Sequence, residues 1–309
     1  MEVNEVIKGI FFLVIAVIGI PGNLVIMGSF SWTAYTTLKL LPVEVVICNL
    51  AVANLILAFT RGLPAALFML FHLKINSDIG CIILVYLARI SRGLAMCFTC
   101  VLSCVQFITI IPTTSKWVYL KPKVTKHIFF IAFILWPLYL LMETAPIFVA
   151  RAVMNFTSSE FTFNFGYCLA LFPTALTYHL NGFGLFSRDL ILVGVMSLAS
   201  TSILHILLKH RKQLNDIRKS NGSEKSVAEI SAAKIIVTLV IIYVIFFGVE
   251  NTIWFYQIIG STVVHHMTSD VRHFFSVCYT FFFPAAIIVT NKKVKNVLNC
   301  SSRQENIER

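Results

Sequence analysis

The chain of 309 residues is 58% hydrophobic and only 13% charged, with a mean hydropathy of +0.84. Soluble domains carry about 25% charged residues and cannot keep so much apolar surface from water, so the composition excludes a soluble fold and indicates an integral membrane protein. The net charge of +11, which in a soluble protein would point to nucleic acid, is here a topology signal, and no DNA or RNA partner is implied.

Hydrophobic runs at approximately residues 7–30, 42–71, 80–111, 126–150, 189–209, 231–258 and 272–290 predict seven spans, since roughly 20 apolar residues cross a bilayer. The expected fold class is an all-α membrane protein, one seven-transmembrane helix bundle over residues 1–309, with 291–309 as a short cytoplasmic tail. The leader "MEVNEVIK" carries two acids against one lysine, and the run behind it is too long for a signal-peptide core. It reads as the first span.

The second run contains Arg61 and Pro64, and Pro64 can kink it. The third opens at Cys81 and carries "YLARISRGL", which puts Arg89 and Arg92 three residues apart on one helix face. At a rise of about 1.5 Å per residue they lie roughly 12 and 16 Å below Cys81, in the outer half of the bundle. An ionised arginine against lipid is costly, so both should point inward. The fourth run contains Pro137 and Glu143, and the loop after it holds the sequon "NFT" at Asn155 and then Cys168. Cys81 and Cys168 share the outer, oxidising side, where a disulfide would tie the loop over the bundle. The fifth run starts after Arg188 and ends in "KHRKQ", the sixth contains Glu250 and Trp254, and Cys300 lies in the tail as a palmitoylation site or a plain thiol.

Basic residues set the orientation. Seventeen of the 25 fall in segments 31–41, 112–127, 209–234 and 291–309, whereas the alternate segments hold only Lys8, Lys74, Arg151, Arg188 and Arg272. By the positive-inside rule the N-terminus is extracellular. Asn155 should then be glycosylated, and the second sequon, at Asn221, should lie out of reach on the inner side.

Two readings of the intramembrane arginines stand side by side. Glu143 and Glu250 lie at comparable depth and can neutralise them as internal ion pairs. Alternatively, Arg61, Arg89 and Arg92 make three cations against two acids, and an unpaired cation in a water-accessible cavity suits an anionic or strongly polarised ligand. Tyr86, Trp254, Phe255 and Tyr256 can complete the walls of such a cavity or serve as packing and lipid contacts. Cys48, Cys97, Cys100, Cys104 and Cys278 read as small packing residues.

Seven spans, an outer N-terminus and the outer cysteine pair resemble a rhodopsin-like G-protein-coupled receptor, as do "GNLVI" from Gly22, "NLAVANL" from Asn49 and Trp136. "VQF" from Val105 stands where Asp-Arg-Tyr is usual, "FPAAI" from Phe283 replaces Asn-Pro-x-x-Tyr, and Asn54 replaces an aspartate that helps hold sodium. That set of departures, with the long word "GCIILVYLARISRGLAMCFTCVLSCVQFITIIP" from Gly80 to Pro112, is similar to the vomeronasal type 1 receptors and the fish class-A-related olfactory receptors. "VANLILAFTRGLP" from Val52, "GYC" from Gly166, "RD" at Arg188 and "KHRKQ" from Lys209 extend the likeness over nearly the whole chain.

The resemblance implies a chemosensory receptor in the plasma membrane of sensory neurons, with a small-molecule ligand, surrounding membrane lipids and a heterotrimeric G protein of the inhibitory class as partners, and no cofactor. Gln106, in place of the usual arginine, and the basic stretch with Lys209, Arg211 and Lys212 form the expected coupling surface. Asn54, a neutral amide, is a poor sodium ligand and more simply bonds a neighbouring helix. A bitter-taste-like receptor usually lacks the outer cysteine pair, and a small-solute transporter would show internal repeats. An enzyme would need a nucleophile and base or a metal set, and His127, His205 and His210 have no such spacing.

Overall fold

The computed structural model describes residues 3–297, apart from 39, 74, 76, 112–117, 153–160, 166, 218–223, 260–265, 292 and 296; side chains at 3, 164, 210–217, 224–240 and 266–270 are likewise outside the description. Asn155, Asn221 and Cys300 lie outside the described residues, and so do the side chains of Arg211 and Lys212.

Among the described residues seven helices are long and apolar enough to cross a membrane. They are α1 (Val3–Thr37), α2 (Pro42–Phe71), α3 (Asp78–Ile110), α4 (Leu120–Met142), α5 (Ala175–Ile217), α6 (Glu224–Ile259) and α7 (His266–Thr290). The strongly buried α3 packs against α2, α4, α5 and α6, while α1 closes the ring against α2 and α7. Close approach needs small residues at the crossings: a Cβ on Gly22 of α1 would meet Pro284 of α7 at 2.8 Å, and one on Gly93 of α3 would run into the Tyr139 ring of α4.

Two boundaries differ from the sequence reading. Span five begins at Ala175 rather than near 189, so Arg188 and Asp189 lie inside the helix instead of before it. Arg272, counted among the outer basic residues, is buried in α7 with 2% exposure. Hydropathy treats each charge as a break, and here the charges are neutralised or stacked within the bundle. Both corrections sharpen the charge asymmetry that sets the topology, since they remove two basic residues from the outer side.

Pro64 acts through a wide turn rather than a simple kink. Its ring removes an N–H donor and crowds the preceding turn. The chain widens there into a π-helical segment, Ala58–Gly62, before continuing to Phe71. The Thr60 carbonyl, which would have been that N–H's acceptor, accepts instead from the Tyr167 hydroxyl of the outer loop at 3.4 Å. Burial pushes the Tyr167 phenol up to about 12, against a smaller opposing pull from Arg61, so it stays a protonated donor.

Between α4 and α5 a short helical turn, Ala145–Val149, leads to a three-stranded antiparallel sheet of β1 (Ala150–Arg151), β2 (Thr162–Asn164) and β3 (Leu169–Leu171), in the order β1-β3-β2. Ala170 pairs with both Ala150 and Phe163. The Cys81–Cys168 disulfide, with Cα atoms 5.7 Å apart, pins this loop to the outer end of α3 as expected. Asp78, in the first turn of α3, accepts from the Ala152 amide at 2.7 Å and fixes the strand from a second point. The sheet thus becomes a roof.

Candidate functional site

Under that roof lies a cavity, open at its mouth and lined by Arg61, Arg89, Arg92, Arg272, Phe163 and Trp254. Its upper wall is aromatic. Phe163 stacks on Tyr178 at 4.6 Å and faces Trp254 at 4.4 Å between ring centres, and Phe172 meets Phe163 edge-on. Trp254 of α6 is held by its indole N–H, which donates to the Gly182 carbonyl of α5 at 3.2 Å.

The floor is ionic. Arg89 donates through Nε to Glu143 at 2.9 Å and through Nη1 to the Asn181 side-chain oxygen at 3.2 Å. Arg92 bridges two helices, donating to Glu250 of α6 and Asp189 of α5, each at 2.8 Å. Arg188 joins Glu143 to Asp189, with an Asp189 contact at 2.9 Å. Each of the three carboxylates is thereby engaged, and Glu143, Asp189 and Glu250 are all at least 97% buried.

Arg61, from the π-helical turn, has a weaker hold on an acid. Its nearest carboxylate is Glu250 at 3.9 Å, while its guanidinium donates to His273 Nδ1 at 2.9 Å and to Ser276 Oγ at 2.8 Å. A guanidinium only donates, so His273 accepts through Nδ1. Arg272 has no carboxylate at all among the described residues. Its guanidinium lies over the Trp254 ring at 4.3 Å and 5.9 Å from Phe163, and its buried Nε has no hydrogen-bond partner.

Among the described residues, five buried or half-buried arginines therefore face three acids, an excess of two positive charges. Of the residues expected at a ligand site, the structure brings Arg61, Arg89, Arg92, Glu250 and Trp254 to the cavity wall. Glu143 lies behind Arg89 as its partner. Tyr86 is placed elsewhere: its hydroxyl donates to the Leu140 carbonyl at 2.6 Å, tying α3 to α4. Phe255 and Tyr256, 38% and 67% exposed, lie towards the outside of the bundle. Sequence reasoning missed Asp189, Arg188, Arg272 and Asn181. The adjacent pair at 188–189 was the available signal, since opposite charges next to an apolar run can belong to the run when both have partners.

At the inner end, Gln106 is buried with its Nε2 unpartnered, and Lys209 is exposed on the extension of α5. The interhelical bond expected of Asn54 is not formed among the described residues: the amide is fully buried with neither atom partnered.

The chain matches the model of the "Vomeronasal organ pheromone receptor family" over residues 6–300. It is 33% identical over 306 residues to olfactory receptor class A-like protein 1 of Danio rerio, covering 99% of this chain and 96% of that protein. It is also 29% identical to vomeronasal type-1 receptor 90 of Rattus norvegicus, over 94% of this chain and 93% of the relative. Among solved structures, squid rhodopsin superposes with a TM-score of 0.73 at 14% identity, covering 98% of this chain and 87% of that one. That likeness is one of fold.

Proposed function

The chain belongs to the vomeronasal organ pheromone receptor family, and from that premise we propose that this chemosensory G-protein-coupled receptor answers to a small organic anion bound beneath the outer sheet. Family membership makes it a multi-pass receptor of the plasma membrane and not an enzyme, and leaves the transporter and bitter-taste-like alternatives without support.

The observation that carries the ligand's charge is Arg272, a buried guanidinium stacked on Trp254 with no ion-paired acid among the described residues. An anionic group entering the cavity meets Arg272 and Arg61 first, while the aromatic wall of Phe163, Phe172 and Trp254 takes an apolar body. Arg89 and Arg92 act one step deeper. Their acids come from the end of α4, from α5 and from α6, so a ligand that draws both guanidinium groups towards itself loosens contacts among four helices at once. A ligand shifts a conformational equilibrium only by its differential affinity for the two states, and rearranging this ion-pair network supplies such a difference. The shift is read inside by Gln106 and the basic end of α5, with Lys209, Arg211 and Lys212, against a heterotrimeric G protein of the inhibitory class, as the family resemblance suggests. We place the receptor on chemosensory neurons, with a glycan at Asn155.

The test is a calcium or cAMP response of expressing cells to organic anions and size-matched neutral analogues. Responses should be confined to anions, and Arg272→Gln should raise the half-maximal concentration at least tenfold, about 1.4 kcal/mol, with surface expression confirmed. Equal responses to neutral analogues, unmoved by Arg272→Gln, would overturn the anionic reading.

A further inference from the structure

We propose that in the absence of an organic ligand the outer cavity holds a monovalent inorganic anion, chloride in physiological media, against Arg272. The counterion shares its cavity with the proposed ligand but stands without it, because it follows from the charge of the resting protein alone.

The inference begins with arithmetic that the protein cannot change by titration. Arg61, Arg89, Arg92, Arg188 and Arg272 carry five positive charges, and Glu143, Asp189 and Glu250 carry at most three negative ones. A lysine left over in such a place can lose its proton and become neutral; a guanidinium cannot. A buried, uncompensated charge is expensive, so the excess needs an anion or deep hydration.

The surplus is localised. Asp189 is engaged by Arg92 and Arg188, Glu143 by Arg89 and Arg188, and Glu250 by Arg92, with Arg61 at 3.9 Å. Among the described residues Arg272 touches only ring faces, at 4.3 Å from Trp254 and 5.9 Å from Phe163, and these offset part of one charge. Its unpartnered Nε is nine-tenths or more buried, and the residue lines the cavity together with Arg61. Two like charges on one wall, backed by aromatic rings, suit a small, weakly hydrated anion. They repel a cation, and the acids of the floor are already engaged by Arg89, Arg92 and Arg188.

Full-length receptor in lipid nanodiscs, held at constant ionic strength, provides the test. Replacing sodium gluconate with about 150 mM chloride or bromide should raise the unfolding temperature saturably, by roughly 2–4 °C. Arg272→Gln should abolish the rise, and Arg272→Lys should keep part of it. An independent readout uses the stacked ring: bromide should quench Trp254 fluorescence, taken as the difference between wild type and Trp254→Phe, more strongly than neutral acrylamide does relative to the other tryptophans. If Arg272→Gln does not fold, the wild-type chloride dependence and the Trp254 quenching decide. Equal unfolding temperatures in chloride and gluconate, or an undiminished chloride effect in Arg272→Gln, would overturn the proposal. The two readings fail separately. A chloride-stabilised receptor that answers only neutral compounds keeps the counterion and loses the anionic ligand; an anion-selective receptor indifferent to chloride does the reverse.

Discussion

In the outer half of the bundle eight ionisable side chains from α2 to α7 lie together; among the described residues Arg92 and Arg188 each touch two acids, and two of the five arginines lack a close carboxylate. At the inner end the polar contacts come singly. Lys293 meets Glu44 at 2.5 Å, the Trp136 indole N–H donates to Asn49 at 3.0 Å, and Lys121 donates to the Ile111 carbonyl at 2.9 Å. Between the two halves lies an aromatic layer in which Tyr243 stacks on Phe247 at 4.1 Å and meets Tyr279 edge-on. The contrast explains how one bundle can be both sensor and switch. A shared, charge-unbalanced network is altered by any anion that enters it, whereas single pairs are either closed or open.

The largest expected effect comes from removing an acid from each half. Glu250→Gln raises the interior excess by one charge and leaves Arg92 with a single carboxylate, and breaking a buried pair costs about 3–5 kcal/mol. We expect little surface expression and a large drop in unfolding temperature. Glu44→Gln keeps a side chain able to accept from the Leu41 amide and loses only its pairing with half-exposed Lys293, so it should cost about 1 kcal/mol or less. Equal losses from the two substitutions would erase the distinction between network and single pair.

The roof offers the next test. Cys168→Ser opens a bridge between residues 87 apart in sequence, and loss of such a disulfide typically costs about 2–4 kcal/mol. The cost should fall on the outer half: ligand response and unfolding temperature decline, while Tyr167 and Phe163, carried by the same loop, lose their fixed positions over the cavity. Measured basal signalling should change little. If basal signalling fell in step with ligand response, the loop would be holding the inner half as well.

Much of this architecture was legible in the residues. Apolar length gave seven spans, the basic loops their orientation, and the two outer cysteines the tether of the roof. The inward direction of Arg89 and Arg92 also followed, because lipid forbids the alternative. What stayed hidden was pairing. Arg188, Asp189 and Arg272 look like ends of spans to a hydropathy window, since a window sees the cost of a charge and not the partner that removes it. Pro64 was visible as a kink, but the π-helical turn it causes, and the Tyr167 hydroxyl that takes up the Thr60 carbonyl, depend on a loop more than 100 residues away. Of the two readings of Arg89 and Arg92, the described residues form the internal ion pairs, and the cations without a close carboxylate among those residues are Arg61 and Arg272.

The smallest predicted change in stability concerns the inner pair. Lys293 follows the end of α7, its backbone N–H donating to the Asn291 side chain at 3.0 Å, and its ammonium reaches Glu44 at the start of α2. Lys293 is 45% exposed although Glu44 is buried, so the ammonium stays half in water and Lys293→Ala should alter the unfolding free energy by about 1 kcal/mol or less. Its position gives it a different importance. Val105, Gln106 and Phe107 occupy the inner end of α3 without an arginine, and the described residues offer no ion pair from α3 to another helix at that level. Glu44 with Lys293 then remains as a charged tie between the inner ends of two helices, and α7 cannot swing from α2 without breaking it. Lys293→Ala should therefore raise basal signalling about twofold to threefold while leaving the half-maximal ligand concentration within that same factor, since the equilibrium shift available from a pair with a half-exposed lysine is about 0.5 kcal/mol. Unchanged basal signalling in Lys293→Ala, with normal surface expression, would show that the tie is passive and that the resting state is held by the aromatic layer above it.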